Sequence, residues 1–116
     1  MYTAIILVKF LDSDLTIRER IVKILESSDS PLTVYDLAVY LGIDRKQAKS
    51  LYSELEHVAR SIRRRSRGSK FLAMYPPECR SCGYVFKDLK KIKEPSKCPR
   101  CRSERISPPR FAIIED

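Results

Sequence analysis

At 116 residues and 13.5 kDa the chain has room for one ordinary domain, or a small domain carrying a smaller module, which excludes a multi-domain enzyme. With 43% hydrophobic and 33% charged residues, three Gly and seven Pro, it is neither low-complexity nor collagen-like, and it has the apolar material for a core. The net charge of +8 is unevenly placed: residues 1–60 carry a net −1 and residues 61–116 a net +9, an asymmetry that points to a polyanionic partner such as nucleic acid, ahead of an anionic membrane surface or ordinary solubility charge.

Residues 1–14 form an N-terminal apolar segment in which residues 2–11, rich in β-branched and aromatic types, read as a strand that could serve dimerisation. Its longest apolar run, Ile5 to Val8 extended by Phe10 and Leu11, is far short of the roughly 20 residues that span a bilayer. It also lacks the flanks of a secretory signal, so the expectation is a cytoplasmic, nucleoid-associated protein with no membrane partner. The chain has no Asn and a single Gln, Gln47, a depletion of thermolabile amides that suggests a thermophilic source.

A first helix opens at Thr16, with Glu19 three residues on as a capping box, and presents Ile17, Ile21, Val22, Ile24 and Leu25 on one broad face to about Ser27. After the Ser28-Asp29-Ser30-Pro31 loop, Thr33 and Asp36 open a short second helix with Val34, Leu37, Ala38 and Leu41 as its apolar face. Gly42 stops it, because glycine tolerates the left-handed conformation just past a helix end, and Ile43 can pack back on the helix it leaves. Asp44 then caps a third helix, with Gln47 at the capping-box position and Ala48, Leu51, Tyr52, Leu55, Val58, Ala59 and Ile62 at steps of three and four. That helix frays near Arg64 to Gly68. Strands over Phe71 to Tyr75 and Phe111 to Ile114 follow, and the proline pairs Pro76-Pro77 and Pro108-Pro109 lie just inside them, bracketing a lysine-rich module.

Ala38, Gly42, Ala48 and Leu51 hold the positions where a helix-turn-helix needs a small residue at the crossing, a glycine in the turn and an apolar residue deeper in the second helix. At the start of the third helix Arg45, Lys46, Lys49 and Ser50 are all donors, and no acid follows Asp44 until Glu54. A helix end aimed into a major groove would present them to bases and phosphates. Helix, helix, basic helix and strand is the order of a winged helix. In that frame Arg63, Arg64, Arg65, Arg67 and Lys70 lie where the helix leaves and the wing begins, placed for sequence-independent phosphate contact. A solvated basic helix end, favoured by the helix dipole, is the competing explanation for some of them.

Cys79, Cys82, Cys98 and Cys101 form C-x2-C-x15-C-x2-C, a spacing that lets two tight knuckles present four thiolates to one tetrahedral ion. One structural Zn2+ is the expected occupant, and iron the less favoured one. A pair of disulfides is the alternative without metal. Gly83 follows the first knuckle where a positive φ turns amides towards sulfur, but Arg102 stands at the equivalent place in the second. Zinc bound to four thiolates would lower the net charge by two and leave the protein basic. Lys87, Lys90, Lys91, Lys93, Lys97, Arg100, Arg102 and Arg105 surround the site, either extending a nucleic-acid footprint or keeping a tiny module in solution.

These residues resemble a family of predicted archaeal transcriptional regulators in which a winged helix-turn-helix carries a rubredoxin-like zinc ribbon. The likeness covers roughly residues 15–116. It rests on Pro77-Glu78-Cys79-x-x-Cys82-Gly83-Tyr84-x-Phe86, on Lys93-x-Pro95-Ser96-x-Cys98-Pro99-x-Cys101 and on Ile106-x-Pro108-Pro109-x-Phe111. The resemblance implies an α+β fold, a winged helix-turn-helix over residues 15–75 with 110–116, and a zinc ribbon over residues 76–109 inserted in the wing hairpin. It also implies a sequence-specific regulator that binds double-stranded DNA, as a homodimer where half-sites lie one helical turn apart. The alternative is an adaptor of the transcription machinery, similar in layout to the alpha subunit of the archaeal basal factor E, meeting RNA polymerase or basal factors through protein contacts. RNA binding ranks third, since Tyr84 and Phe86 are the only aromatics in the ribbon placed to stack on bases. An enzyme is not expected: the single His57 reads as a partly exposed helix residue, and a closed four-cysteine site leaves no position for activating water.

Overall fold

The computed structural model describes residues 15–116, so the strand read over residues 2–11 lies outside the described residues. In chain order the elements are α1 (Ile17–Ser27), α2 (Val34–Leu41), a 3-10 segment (Arg45–Ser50), α3 (Leu51–Arg65), β1 (Lys70–Tyr75) and β2 (Arg110–Glu115). The architecture is α+β: three helices, a two-stranded hairpin and a four-cysteine ribbon.

Both expected capping boxes form. The Glu19 N–H donates to Thr16 Oγ1 at 3.2 Å while the Thr16 N–H donates to Glu19 Oε1 at 3.2 Å, and Thr33 and Asp36 make the same exchange at 3.0 and 3.1 Å. On α1 only Ile21 and Leu25 are fully buried, and Ile17, expected on the inner face, lies over an open groove between α1 and α3 and is 36% exposed. On α2 all four expected apolar residues are buried. Gly42 ends it with φ 72°, and the Ile43 N–H returns to the Ala38 carbonyl at 3.0 Å, satisfying a carbonyl the helix leaves unpaired.

The third helix departs from its expected form. Asp44 Oδ1 accepts from the Lys46 N–H at 3.0 Å, and the Gln47 N–H bonds the Asp44 carbonyl at 2.9 Å, so the first turns close i to i+3 and the expected Asp44–Gln47 capping box is not made. Apolar steps of three and four fit both helix types at so short a length, which is why the pattern did not separate them. Tightening has a consequence for function, because side chains at i and i+3 eclipse in a 3-10 turn. Arg45 shares its edge with the fully buried Ala48, and Lys46 shares an exposed edge with Lys49. From Leu51 the α-helix proper buries Leu51, Tyr52, Leu55, Val58 and Ile62.

β1 and β2 pair antiparallel from Lys70↔Glu115 to Tyr75↔Arg110. Leu32, in the loop before α2, adds a bridge to Phe111, with N–H to carbonyl distances of 2.8 and 2.7 Å. Phe111 is fully buried, stands 6.2 Å from the Tyr52 ring, and joins sheet and helices in one core with Ile21, Leu37 and Leu55. Arg18 Nε to Glu54 Oε2 at 2.8 Å ties α1 to α3 on the surface. Residues 76–109 form the connection between the two strands.

Candidate metal centre and nucleic-acid face

The ribbon is two copies of one backbone device. In the first knuckle the Cys79 N–H donates to the Tyr84 carbonyl at 2.8 Å and the Gly83 N–H to the Cys79 carbonyl at 2.9 Å. In the second, Cys98 to Ser103 and Arg102 to Cys98 repeat both bonds at 2.9 and 2.8 Å. Gly83 has φ 80° and Arg102 φ 63°, so arginine adopts the left-handed conformation that glycine takes in its twin. The Ser81 and Ser103 hydroxyls meet at 2.8 Å across the pair, and Glu78↔Val85 and Cys79↔Ile106 bridges hold the knuckles to their flanks.

All four sulfurs lie within 4.8 Å of one another, with Cys79 to Cys101 at 3.5 Å and Cys82 to Cys98 at 3.6 Å. A disulfide needs about 2.05 Å, so these are thiols. A zinc–sulfur bond of about 2.3 Å in a tetrahedron requires sulfur–sulfur edges of about 3.8 Å, which these separations fit. At Cys79 desolvation raises the thiol pKa, but backbone N–H donors at Cys82 and Ser81, with the Cys101 and Cys82 thiols, outweigh it and bring it to about 6. At Cys101 the Ser103 N–H favours the thiolate, yet desolvation and the three neighbouring sulfurs push it up to about 12. Four thiolates this close repel one another without a cation. The site holds one structural Zn2+ on Cys79, Cys82, Cys98 and Cys101, which fastens the ribbon and leaves no open position for a reacting ligand.

The basic residues singled out in the sequence separate into two groups. Arg45 lies 4.3 Å above the Tyr35 ring, and the Ser50 hydroxyl donates to the Gln47 carbonyl at 2.6 Å, so both are engaged within the fold. Lys46 and Lys49 are exposed. Arg63, Arg64, Arg65 and Arg67 are exposed at the far end of α3, about 21 Å from Leu51 at 1.5 Å per residue. Lys70 is ion-paired with Glu26 Oε2 at 3.0 Å, which raises its pKa. In the ribbon, Arg100 donates to the Cys82 carbonyl at 3.0 Å, while Lys87, Lys90, Lys91, Lys93, Lys97, Arg102 and Arg105 are exposed. Tyr84 and Phe86 pack edge to face at 5.0 Å with Phe86 buried, which is a small ribbon core and not a platform for bases. His57 is half-buried on α3 and contacts Arg60 Nη2 through Nδ1 at 3.1 Å.

Sequence reasoning missed the contact that docks the ribbon. Glu94, a lone acid in the Lys90 to Lys97 run, accepts from the Tyr35 hydroxyl at 2.9 and 2.8 Å, and Ile92 packs against the helical core. Burial and this bond raise the Tyr35 phenol to about 12. The buried Tyr52 hydroxyl has no partner at hydrogen-bond geometry among the described residues, and its pKa is raised further, by burial first and then by the nearby Glu94 carboxylate. The ribbon therefore sits beside α2 and the start of α3, next to Arg45. An isolated acid among lysines was the only signal available in the sequence.

Residues 16–72 match the family profile described as PF0610-like, N-terminal, and residues 76–116 match the PF0610 rubredoxin-like zinc beta-ribbon domain. The solution NMR structure of protein PF0610 from Pyrococcus furiosus is 34% identical and superposes with a TM-score of 0.68, the match covering 86% of this chain and 90% of that one. No curated protein matches the chain. Among the described residues no helix is long and apolar enough to cross a membrane.

Proposed function

This chain belongs to the PF0610-like family, and we propose that it is a sequence-specific DNA-binding transcription regulator, a winged helix-turn-helix with a structural zinc ribbon inserted in its wing hairpin. The observation that carries the reading is the exposed Lys46–Lys49 edge of the 3-10 segment at the start of α3, beside the docked, lysine-rich ribbon. The burial of Ala38 and Ala48 in one core, on either side of the Gly42 turn, supports the helix-turn-helix, and the β1–β2 hairpin with its Leu32 bridge supports the wing. In this arrangement the start of α3 enters a major groove. Lys46 and Lys49 reach base edges or phosphates, and ribbon lysines lie along the backbone. In this reading zinc supplies rigidity to the wing and no catalytic chemistry.

The test is titration of the zinc-loaded protein against a labelled random-sequence duplex at several salt concentrations. Affinity should fall steeply with salt, with a slope of about 0.9 per phosphate neutralised, and Lys49→Ala should then weaken binding to a selected site. No binding at low salt would overturn the reading.

The second reading, an adaptor for RNA polymerase or basal factors, is favoured by one observation: Val39 and Tyr40 stand 79% and 63% exposed on α2, beside Pro31 and Leu32. Exposed apolar neighbours of this kind suit a protein surface. A polymerase pull-down that survives high salt, with no duplex affinity, would put this reading first.

A further inference from the structure

The residues Arg60, Arg63, Arg64 and Arg67 recur at i, i+3, i+4 and i+7, so they run as one stripe along the end of α3 and over its C-terminal turn. Together with Gly68 they line an open concavity of about 450 Å³. Among the described residues no carboxylate ion-pairs with any of the four, Glu56 one turn earlier included; Glu54 is held by Arg18 and Glu26 by Lys70. Among the described residues their one polar side-chain contact is Arg60 with His57. The helix dipole favours cations at this end, but like charges spaced i and i+4 repel, and an anion lying across the stripe would relieve that repulsion.

The backbone at this end adds an independent observation. The Gly68 N–H bonds the Arg63 carbonyl at 2.8 Å and the Arg67 N–H bonds the Arg64 carbonyl at 3.2 Å, the same closure that Ile43 and Gly42 make at the end of α2. At α2 the left-handed residue is Gly42; at α3 two consecutive residues are left-handed, Arg67 with φ 55° and Gly68 with φ 85°. The first of the two is an arginine, held in a conformation that glycine takes without strain.

We propose that Arg60, Arg63, Arg64 and Arg67 form a phosphate-binding site of their own, which takes a nucleic-acid backbone independently of the Lys46–Lys49 end. The separation rests on the groove reading above: a major groove about 8.5 Å deep accepts roughly six helical residues end-on, and the arginines then stand clear of that duplex. All four are guanidiniums, whose planar fork matches phosphate oxygens in pairs. An open stripe fits an extended backbone, whereas a small anion calls for an enclosed pocket.

The test is NMR of the zinc-loaded full chain with a random-sequence duplex of about 20 base pairs at low salt, following the Arg side-chain Nε–H groups and the Lys46 and Lys49 amides. In a K46A/K49A variant the arginine signals should still shift. In an R63Q/R64Q/R67G variant the dissociation constant read at the arginine end should rise at least tenfold, while that read at Lys46 and Lys49 changes less than twofold. Loss of the arginine response in K46A/K49A would mean one continuous footprint and would overturn the proposal. So would saturation by inorganic pyrophosphate with no response to duplex, which would identify a small-anion site. A wild-type response at the lysine end alone overturns this site and leaves the groove reading standing; a response at the arginine end alone does the reverse.

Discussion

The helical part and the ribbon are held by different physics. Thirteen buried residues from α1, the loop before α2, α2, the 3-10 segment, α3 and the sheet make one core, whereas the ribbon's buried side chains are Pro77, Cys79, Phe86, Cys98 and Pro109. So small an apolar set cannot offset the entropy of ordering residues 76–109. The ribbon depends on its metal, and the helices do not.

Zinc removal breaks that comparison most sharply. Structural zinc sites in small domains contribute on the order of 10–16 kcal/mol at neutral pH, so chelation, or Cys98→Ser, should unfold residues 76–109 while the helical amides keep their dispersion. The check is NMR with and without chelator; collapse of both halves together would show one cooperative unit. Because thiols lose their protons on binding, metal uptake should release acid, and lowering the pH should release the metal.

Next in size is Phe111→Ala. It empties the position where Leu32, Tyr52 and β2 meet, and should cost about 3–5 kcal/mol in the helical part with little change in zinc affinity. Denaturant unfolding and a competitive chelator titration separate the two effects.

The left-handed residues sharpen the comparison further, since each half holds one arginine besides its glycines: Arg67 with Gly42 and Gly68, then Arg102 with Gly83. A non-glycine residue in this conformation costs roughly 1–2 kcal/mol, so Arg67→Gly and Arg102→Gly should each stabilise by about that much, and Gly42→Ala should destabilise. Melting of the zinc-loaded variants measures this. A loss of stability in Arg102→Gly would reveal a contact of that side chain worth more than its strain.

The smallest effect belongs to the dock. A phenol whose folded pKa is raised contributes stability that is complete below its unfolded value and is lost as pH rises through the folded one, so the Tyr35–Glu94 contact should weaken between about pH 10 and 12. Tyr35→Phe should remove this pH dependence and speed hydrogen exchange around Ile92 and Glu94.

What could be read from the chain alone is what closes within a few residues. Thr16 with Glu19, Thr33 with Asp36, Gly42 with Ile43 and the C-x2-C knuckles each complete their bonds inside a span of five, so residue type and spacing determine them. The α+β class and the four-cysteine site followed from such pieces. Even locally the pattern had a limit, for the 3-10 start of α3 differs from an α-helix by one hydrogen-bond register that apolar spacing does not record. Only the tertiary structure decided which cations are already committed. Lys70 pairs with Glu26 across 44 positions, the Arg45 guanidinium rests on the Tyr35 ring, and Tyr35 reaches Glu94 across 59. Such partners are chosen by how the chain folds back in space, and a charge takes whichever opposite charge packing brings within about 4 Å, wherever that stands in the sequence.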